Sequence, residues 1–180
     1  MPRSRHCIRP YSKISQQDFA VSSTHGLAHY QIFSGGMTNE RFPRFLEVLC
    51  GNEIMENTEA SGICVYDKAR PHVRITDQDV PGNFTVKRLP RYSPFLNMAE
   101  NAISCWKQAI KNSLAIRRQE FIVPTDQQLQ GRTLQAYRFD TIKDIINSTA
   151  GVITPSKCAS WYNHTTTYLP ACIGRESIHG

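Results

Sequence analysis

Residues 62–107 read GICVYDKARPHVRITDQDVPGNFTVKRLPRYSPFLNMAENAISCWK and carry the pattern that decides the fold. The continuous apolar run at 63–66 predicts a β-strand buried on both faces. A second short strand is predicted over 84–89, where Pro90 ends it, and residues 90–97 form a Pro-rich turn. The pattern then becomes helical from Met98. Strands that alternate with helices indicate an α/β layered domain.

The helix that starts at Met98 is defined by one apolar stripe. Apolar side chains recur there every three or four positions, which is the spacing of one helical face. Its members are Ala99, Ala102, Ile103, Trp106, Ala109, Ile110 and Leu114. This helix is therefore expected to pack on the core along its whole length.

Upstream of this stretch, the sequence predicts a hairpin and a helix. Residues 19–23 and 27–33 are short apolar segments on either side of the turn residue Gly26. The following helix has Thr38 or Asn39 as its cap, tolerates Pro43 in its first turn, and is predicted to stop at Gly51. Its apolar face is formed by Phe42, Phe45, Leu46 and Leu49.

Downstream, the composition changes after Arg118. Residues 119–132 are Gln-rich and contain Pro124 and Gly131. Two helical segments follow, over 134–146 and roughly 156–168. Leu134, Ile142, Ile145 and Ile146 lie near one face of the first, and the second carries Cys158, Trp161 and Tyr162. This tail is either a helical appendage packed on the core or a part of it.

Composition places the chain among globular proteins. Hydrophobic residues make up 40% and charged residues 20% of the 180 residues, and no run reaches the roughly 20 apolar residues of a membrane span. The basic N-terminus has no apolar region behind it, so no secretory signal is predicted. The net charge of +6 favours a polyanionic partner such as DNA.

The six cysteines do not form a metal motif. None of them are spaced as C-x-x-C, the spacing typical of zinc sites. With no secretory signal, free thiols in a reducing compartment are expected.

Two carboxylates stand at positions that suit metal chemistry. Asp67 follows a predicted buried strand, and functional groups gather outside the carboxyl ends of strands in α/β sheets; a carboxylate there suits Mg²⁺. Glu100 lies in the first turn of the long helix, with Lys107 and Lys111 on the same side. Each also has a simpler interpretation. Asp67 suits a turn, and Glu100 suits a solvated helix N-terminus, where the dipole favours it.

The two positions together carry a family resemblance. This region contains the motif Y-D-x-A-R-P-H, then a predicted strand, then the motif L-P-x-Y-S-P-F-L-N-x-x-E-N and a helix with W-K. It resembles the Tc1/mariner superfamily of DNA transposases. The usual motifs of that superfamily are D-N-A-x-x-H and L-P-P-Y-S-P-x-L-N-P-I-E. The match is strong over residues 62–107, weaker over 26–49 and weaker still in the tail. The resemblance implies an RNase H-like fold with three acidic ligands for two divalent ions. By the match, Asp67 is the second catalytic and metal-binding residue and Glu100 the third.

The chain departs from the family pattern at several positions. The first acidic ligand, which the family carries on an upstream strand, has no counterpart, because Asp18 is the only Asp before Asp67 and precedes the wrong strand. Lys68 stands where the family has Asn, and its positive charge should weaken cation binding. Arg91 replaces the second Pro of L-P-P, Met98-Ala99 replaces P-I, and His72 is retained with a structural role expected.

These observations combine into one prediction. Residues 1–17 form an irregular lead-in, 18–118 a partial RNase H-like DDE core truncated at its N-terminal strands, and 119–180 a helical C-terminal extension. The chain is predicted to be a fragment or degenerate copy of a transposase, with Mg²⁺ or Mn²⁺ as cofactor if it is active. The family's activity is metal-dependent DNA cleavage and strand transfer, in DNA transposition and integration.

The resemblance also predicts partners and location. DNA is the expected partner, bound through Lys107, Lys111, Arg117 and Arg118, and the location is nuclear. Loss of the first strand exposes a sheet edge, which favours aggregation or pairing with another chain, a homo-oligomer being one such pairing. Two alternatives stay open: an active enzyme whose missing ligand comes from another chain or a longer gene product, and a non-enzymatic DNA-binding or interaction module.

Overall fold

The computed structural model describes residues 16–22, 25–33, 38, 40–56, 61–67, 75–80, 83–90 and 93–174, and within them the fold is mixed α/β. The strands are β1 (Gln16–Ser22), β2 (Gly26–Phe33), β3 (Ser61–Tyr66) and β4 (Asn83–Arg88). The helices are α1 (Arg41–Glu56), α2 (Met98–Ile116), α3 (Arg118–Ile122), α4 (Asp126–Leu129), α5 (Leu134–Thr149), α6 (Pro155–Thr166) and α7 (Leu169–Gly174). Of the predicted lead-in, residues 1–15 lie outside the described part.

The predicted hairpin is confirmed. β1 and β2 are antiparallel, and β1 begins at Gln16, so that Asp18 lies inside the strand and its Cα is paired with that of Gln31. Gly26 opens β2 with a φ of +82°, a conformation that L side chains rarely adopt. A Cβ on Gly26 would meet the backbone oxygen of Ile153 at 3.0 Å. Glycine is therefore required where the hairpin turn approaches the segment that leads into α6.

The two strands of the deciding stretch form a second, separate sheet. β3 and β4 are parallel, in a register that runs from Ser61 opposite Asn83 to Tyr66 opposite Arg88. Both strands therefore end at the same edge of the sheet. In the part of the chain that the structure describes, β1–β2 and β3–β4 remain two sheets of two strands each.

The prediction that β3 is buried on both faces is wrong. Ile63 and Val65 are 64% and 54% exposed, while Tyr66 is buried. Burial alternates because successive side chains of a strand point to opposite faces, and α1 packs on only one of them. An unbroken apolar run does not reveal which faces of a strand are covered.

The helix α1 starts where the sequence predicts and ends later. The backbone N–H of Arg41 donates to the Thr38 hydroxyl at 3.3 Å, and Pro43 falls in the first turn; Asn39 lies outside the described residues. The predicted stop at Gly51 is wrong, because the helix continues to Glu56. A glycine inside a helix costs only about 1 kcal/mol, and the buried residues Leu46 and Cys50 hold this helix in place.

Two hydrophobic clusters join the helices and strands of the described residues. The first joins α2 to the carboxyl-terminal helices, and the second joins α1 to the parallel pair. The predicted stripe of α2 is confirmed, with Ala102, Trp106, Ile110 and Leu114 buried. Ile142, Ile145, Ile146, Ile153 and Cys158 complete the first cluster. The helical tail and α2 thus share one hydrophobic core.

The predicted helices of the tail are confirmed with adjusted bounds. The Thr133 hydroxyl accepts from the N–H of Ala136 at 3.2 Å and caps α5, and the Thr154 hydroxyl accepts from Lys157 at 3.3 Å and caps α6. Leu134, predicted near the apolar face of α5, is exposed, and so is Tyr162 of α6. None of the helices among the described residues is long and apolar enough to cross a membrane.

Candidate functional site

Asp67 follows the last residue of β3, as the sequence predicts. The N–H of Leu89 donates to the carbonyl oxygen of Tyr66 at 2.8 Å, which continues the parallel ladder one step beyond β4. Asp67 is half-buried at this carboxyl edge. A carboxylate at the carboxyl edge of parallel strands occupies the position where α/β sheets gather functional groups.

A hydrogen-bond network fixes the residue before Asp67. The buried Tyr66 hydroxyl donates to the carbonyl oxygen of Ile75 at 3.2 Å and accepts from Nε of Arg88 at the same distance. Nη2 of Arg88 donates to the Ile75 carbonyl oxygen at 2.6 Å. Arg88 thus ties the end of β4 to the end of β3 and to the segment that follows Asp67.

Replacing Arg88 by alanine is expected to lower the free energy of unfolding by about 1–3 kcal/mol, because it removes two donors from partly buried acceptors. Urea denaturation of the purified protein measures the change. Arg88→Lys should recover only part of the loss, since an ammonium cannot reproduce the fixed fork of the guanidinium. Lys87→Ala, at an exposed neighbouring position, is the matched control. A loss that is equal in Lys87→Ala and Arg88→Ala would contradict the role given to the network.

The far edge of β4 is held by the segment before it. The Asp77 carboxylate accepts from the N–H of Val86 at 2.7 Å. Thr76 and Asp79 form a capping box around the short 3₁₀ turn at 77–79, with the Asp79 carboxylate accepting from the Thr76 N–H at 2.7 Å. The Asp77 and Asp79 carboxylates are thus used in structural hydrogen bonds to the backbone.

Glu100 lies in the first turn of α2, as predicted, and its side chain is exposed. Ser93 donates to the carbonyl oxygen of Pro90 at 2.6 Å, and a 3₁₀ turn at 94–96 follows. The Asn97 side chain then accepts from the N–H of Ala99 at 3.1 Å and caps the helix. Along the sequence, Glu100 lies eleven positions (100 − 89) after Leu89, the residue whose N–H is bonded to Tyr66.

Three of the four predicted DNA-binding side chains are exposed. Lys107 and Lys111 lie on the solvent side of α2, and Arg118 is exposed at the start of α3. At 100° per residue, Glu100, Lys107 and Lys111 fall within roughly 40° of one another around the helix axis. Arg117 differs, because it is half-buried and its Nε forms an ion pair with Glu120. Its charge is therefore partly neutralised.

The predicted metal site is incomplete in the described chain. Asp67 and Glu100 offer the oxygen ligands that Mg²⁺ and Mn²⁺ prefer. Among the described residues, however, no group of three or more His, Cys, Asp or Glu side chains is arranged to hold a metal ion. Lys68, His72 and Arg91, which the sequence interpretation singled out, lie outside the described residues. The two carboxylates have suitable chemistry but do not fit the resemblance's full ligand set.

Two side-chain contacts in this region were not predicted from the sequence. One is the Arg88 network, and the other is the contact between the thiols of Cys50 and Cys64, whose sulfur atoms are 3.8 Å apart. Both join residues on different elements, and neither leaves a local pattern. Only the pairing of β3 with β4 and the packing of α1 bring them together.

Comparisons with family models, with curated proteins and with solved structures found no match to this chain.

Proposed function

We propose that this protein is a Tc1/mariner-type transposase DDE endonuclease domain that carries the second and third acidic positions, Asp67 and Glu100, and lacks the first. One observation carries the proposal. The family motif in residues 62–107 coincides with β3, which Asp67 follows, the parallel strand β4, a 3₁₀ turn at 94–96 and a helix with Glu100 in its first turn. The RNase H-like fold, nuclear location and DNA transposition belong to the same proposal.

The arrangement of the two sheets supports the RNase H-like part of the proposal. Both sheets pack against α1: the His29 ring of β2 lies 5.2 Å from the Phe45 ring, and the Tyr66 ring of β3 lies 5.7 Å from the Phe42 ring. The resemblance implies one sheet whose first strand bears the first acidic ligand. We propose that such a strand, absent from the described chain, would join the hairpin to the parallel pair.

The exposed side of α2 supports DNA as the partner. Lys107 and Lys111 follow Glu100 along the same side of the helix, two and three turns further on. Cations in such a row can contact successive phosphates while the carboxylate stays near the scissile bond. The net charge of +6 adds a longer-range attraction to the same partner.

The chemistry available to this chain is limited by its ligands. Two divalent ions, when bound, would activate a water or a DNA 3′-hydroxyl and stabilise charge on the phosphate. A two-metal site needs shared carboxylates at fixed geometry, and this chain supplies two of the three. Asp67 and Glu100 would hold such ions weakly, and we propose that the 180 residues alone bind DNA without cleaving it efficiently.

A plasmid-nicking assay in Mn²⁺ tests this. The purified 180-residue protein is expected to leave supercoiled DNA intact while it still binds the same DNA in an electrophoretic shift. The opposite result would be nicking by the wild-type protein that is lost in Asp67→Ala and in Glu100→Ala but kept in Asp144→Ala, a control on the exposed side of α5. That result would overturn the proposed inactivity and favour an active enzyme. Genomic sequence upstream of the Met1 codon adds a second test: an open frame encoding a strand with an Asp would indicate a longer active product.

A second candidate function, a non-enzymatic DNA-binding module derived from a transposase, is favoured by the exposed pair Lys107 and Lys111. Binding through phosphates weakens steeply as salt rises. The double variant Lys107→Ala/Lys111→Ala should bind duplex DNA more weakly, and its slope of log affinity against log salt should be shallower by about two. Lys143→Ala, an exposed change on α5, is the matched control in the same fluorescence anisotropy titration. Unchanged affinity in the double variant, or binding that does not depend on salt, would remove α2 as the DNA-binding surface.

A further inference from the structure

The thiols of Cys50 and Cys64 meet between α1 and β3. Their sulfur atoms are 3.8 Å apart and within hydrogen-bond range for sulfur. A disulfide bond is about 2.05 Å long, so the two sulfur atoms must approach by roughly 1.8 Å to form one. From this geometry we infer that Cys50 and Cys64 form a reversible disulfide when the protein meets a small-molecule disulfide such as oxidised glutathione.

The two cysteines differ in access, which assigns the order of events. Cys50 is fully buried, whereas Cys64 is half-buried on β3. Cys64 is therefore the thiol that an oxidant in solution reaches first. Cys50 needs only to reach its neighbour, and it acts as the resolving thiol.

The electrostatics of the pair agree with this order. The hydrogen bond from Cys50 holds the pKa of the Cys64 thiol below its usual range, and this effect outweighs the opposing effect of burial. A lower pKa raises the fraction of thiolate, which is the nucleophile in thiol–disulfide exchange. Cys158 is different: burial first, and the neighbouring Cys105 second, raise the pKa of its thiol.

The reaction balances without any further reagent. The Cys64 thiolate attacks one sulfur of oxidised glutathione, the glutathione disulfide bond breaks, and one glutathione thiolate leaves. Cys50 then gives up its proton and attacks the Cys64 sulfur, which expels the second glutathione thiolate. Two protein thiols are oxidised to one disulfide, and one oxidised glutathione is reduced to two thiols.

The bond would add a covalent link between two elements that pack against each other. It would tie the middle of α1 to β3, three positions before Asp67. It closes a loop between positions 50 and 64 and so restricts the unfolded chain. The oxidised protein should resist denaturation better than the reduced protein, and β3 and the following Asp67 should be held more firmly. The inference stands independently of any activity on DNA.

Peptide mapping of the intact wild-type protein tests the inference. The protein is equilibrated with oxidised and reduced glutathione, free thiols are alkylated, and trypsin is added. Because no Lys or Arg lies between Arg44 and Lys68, both cysteines fall in one tryptic peptide, residues 45–68. The expected product is this peptide without alkyl groups and lighter by two hydrogen atoms. A Glu-specific protease should then divide it into peptides 48–53 and 60–68, joined by the disulfide.

Variants separate this pair from the other cysteines. Cys50→Ala should leave Cys64 as a mixed disulfide with glutathione, because its resolving thiol is gone. Cys172→Ala on α7 is the control and should leave the 45–68 disulfide unchanged. The urea midpoint of the wild-type protein should move upward on oxidation, and that shift should be absent in Cys64→Ala. Two outcomes would overturn the inference. In one, Cys50 and Cys64 are both recovered as alkylated thiols while Cys172 is glutathionylated. In the other, Cys50 or Cys64 forms a disulfide with a different cysteine.

Discussion

Replacing Trp106 by alanine is expected to lower the free energy of unfolding by about 3–5 kcal/mol, the usual loss for a large aromatic side chain in a core. Trp106 is 1% exposed at the centre of the cluster that joins α2 to α5 and α6. The Tyr30 ring packs edge-on against it, with ring centroids 5.2 Å apart. Its Nε1 donates to the Thr149 hydroxyl at 3.0 Å. The Trp106 side chain thus links the hairpin, α2 and α5. Urea denaturation followed by circular dichroism measures the loss of unfolding free energy.

Two further variants separate the contribution of apolar packing by Trp106 from that of its hydrogen bond to Thr149. Trp106→Phe keeps most of the apolar volume but loses the donor to Thr149, so it should cost less than Trp106→Ala. A double-mutant cycle with Thr149→Val isolates the hydrogen bond, for which a coupling of about 0.5–1.5 kcal/mol is expected. Gln108→Ala, exposed on the same helix, is the surface control. A loss in Trp106→Ala no larger than that of the control would contradict the central place given to this residue.

Features of the fold that depend on local pattern were predictable from the sequence. The buried stripe of α2 follows from apolar residues at helical spacing, and the structure confirms Trp106, Ile110 and Leu114 as buried. The hairpin around Gly26 and the strand before Asp67 follow from short apolar runs beside turn residues. In each case the sequence signal lies within a few positions of the residues that it describes.

Features that depend on tertiary contacts were not predictable. Gly51 carries a helix-stop signal, yet the fixed packing of Cys50 keeps α1 intact beyond it. The apolar run 63–66 does not tell which of its faces α1 covers. For the candidate site, the sequence located Asp67 and Glu100 on a strand end and in a helix turn. It did not reveal that Arg88 fixes the residue before Asp67.

Replacing Phe45 by alanine is the second change with a large expected effect, again about 3–5 kcal/mol in the free energy of unfolding. Phe45 is buried in α1, and its ring lies 5.2 Å from the His29 ring and 6.4 Å from the Phe42 ring. Phe42 in turn packs against Tyr66 of β3. Loss of Phe45 therefore weakens the contact through which α1 joins the hairpin to the parallel pair.

The pKa of His29 shows whether Phe45→Ala changes the surroundings of the neighbouring ring. Burial lowers the pKa of His29, so the folded state favours the neutral imidazole. The unfolded chain then binds more protons, and stability falls as pH drops below about 6.5, the ordinary value for histidine. Phe45→Ala admits water beside the ring, so an NMR titration should show the pKa of His29 returning upward and this acid-dependent loss of stability shrinking. Phe45→Leu should keep more of the burial, and Glu47→Ala, exposed on α1, should change neither quantity. An unmoved His29 pKa in a folded Phe45→Ala protein would show that Phe45 is not what shields this ring.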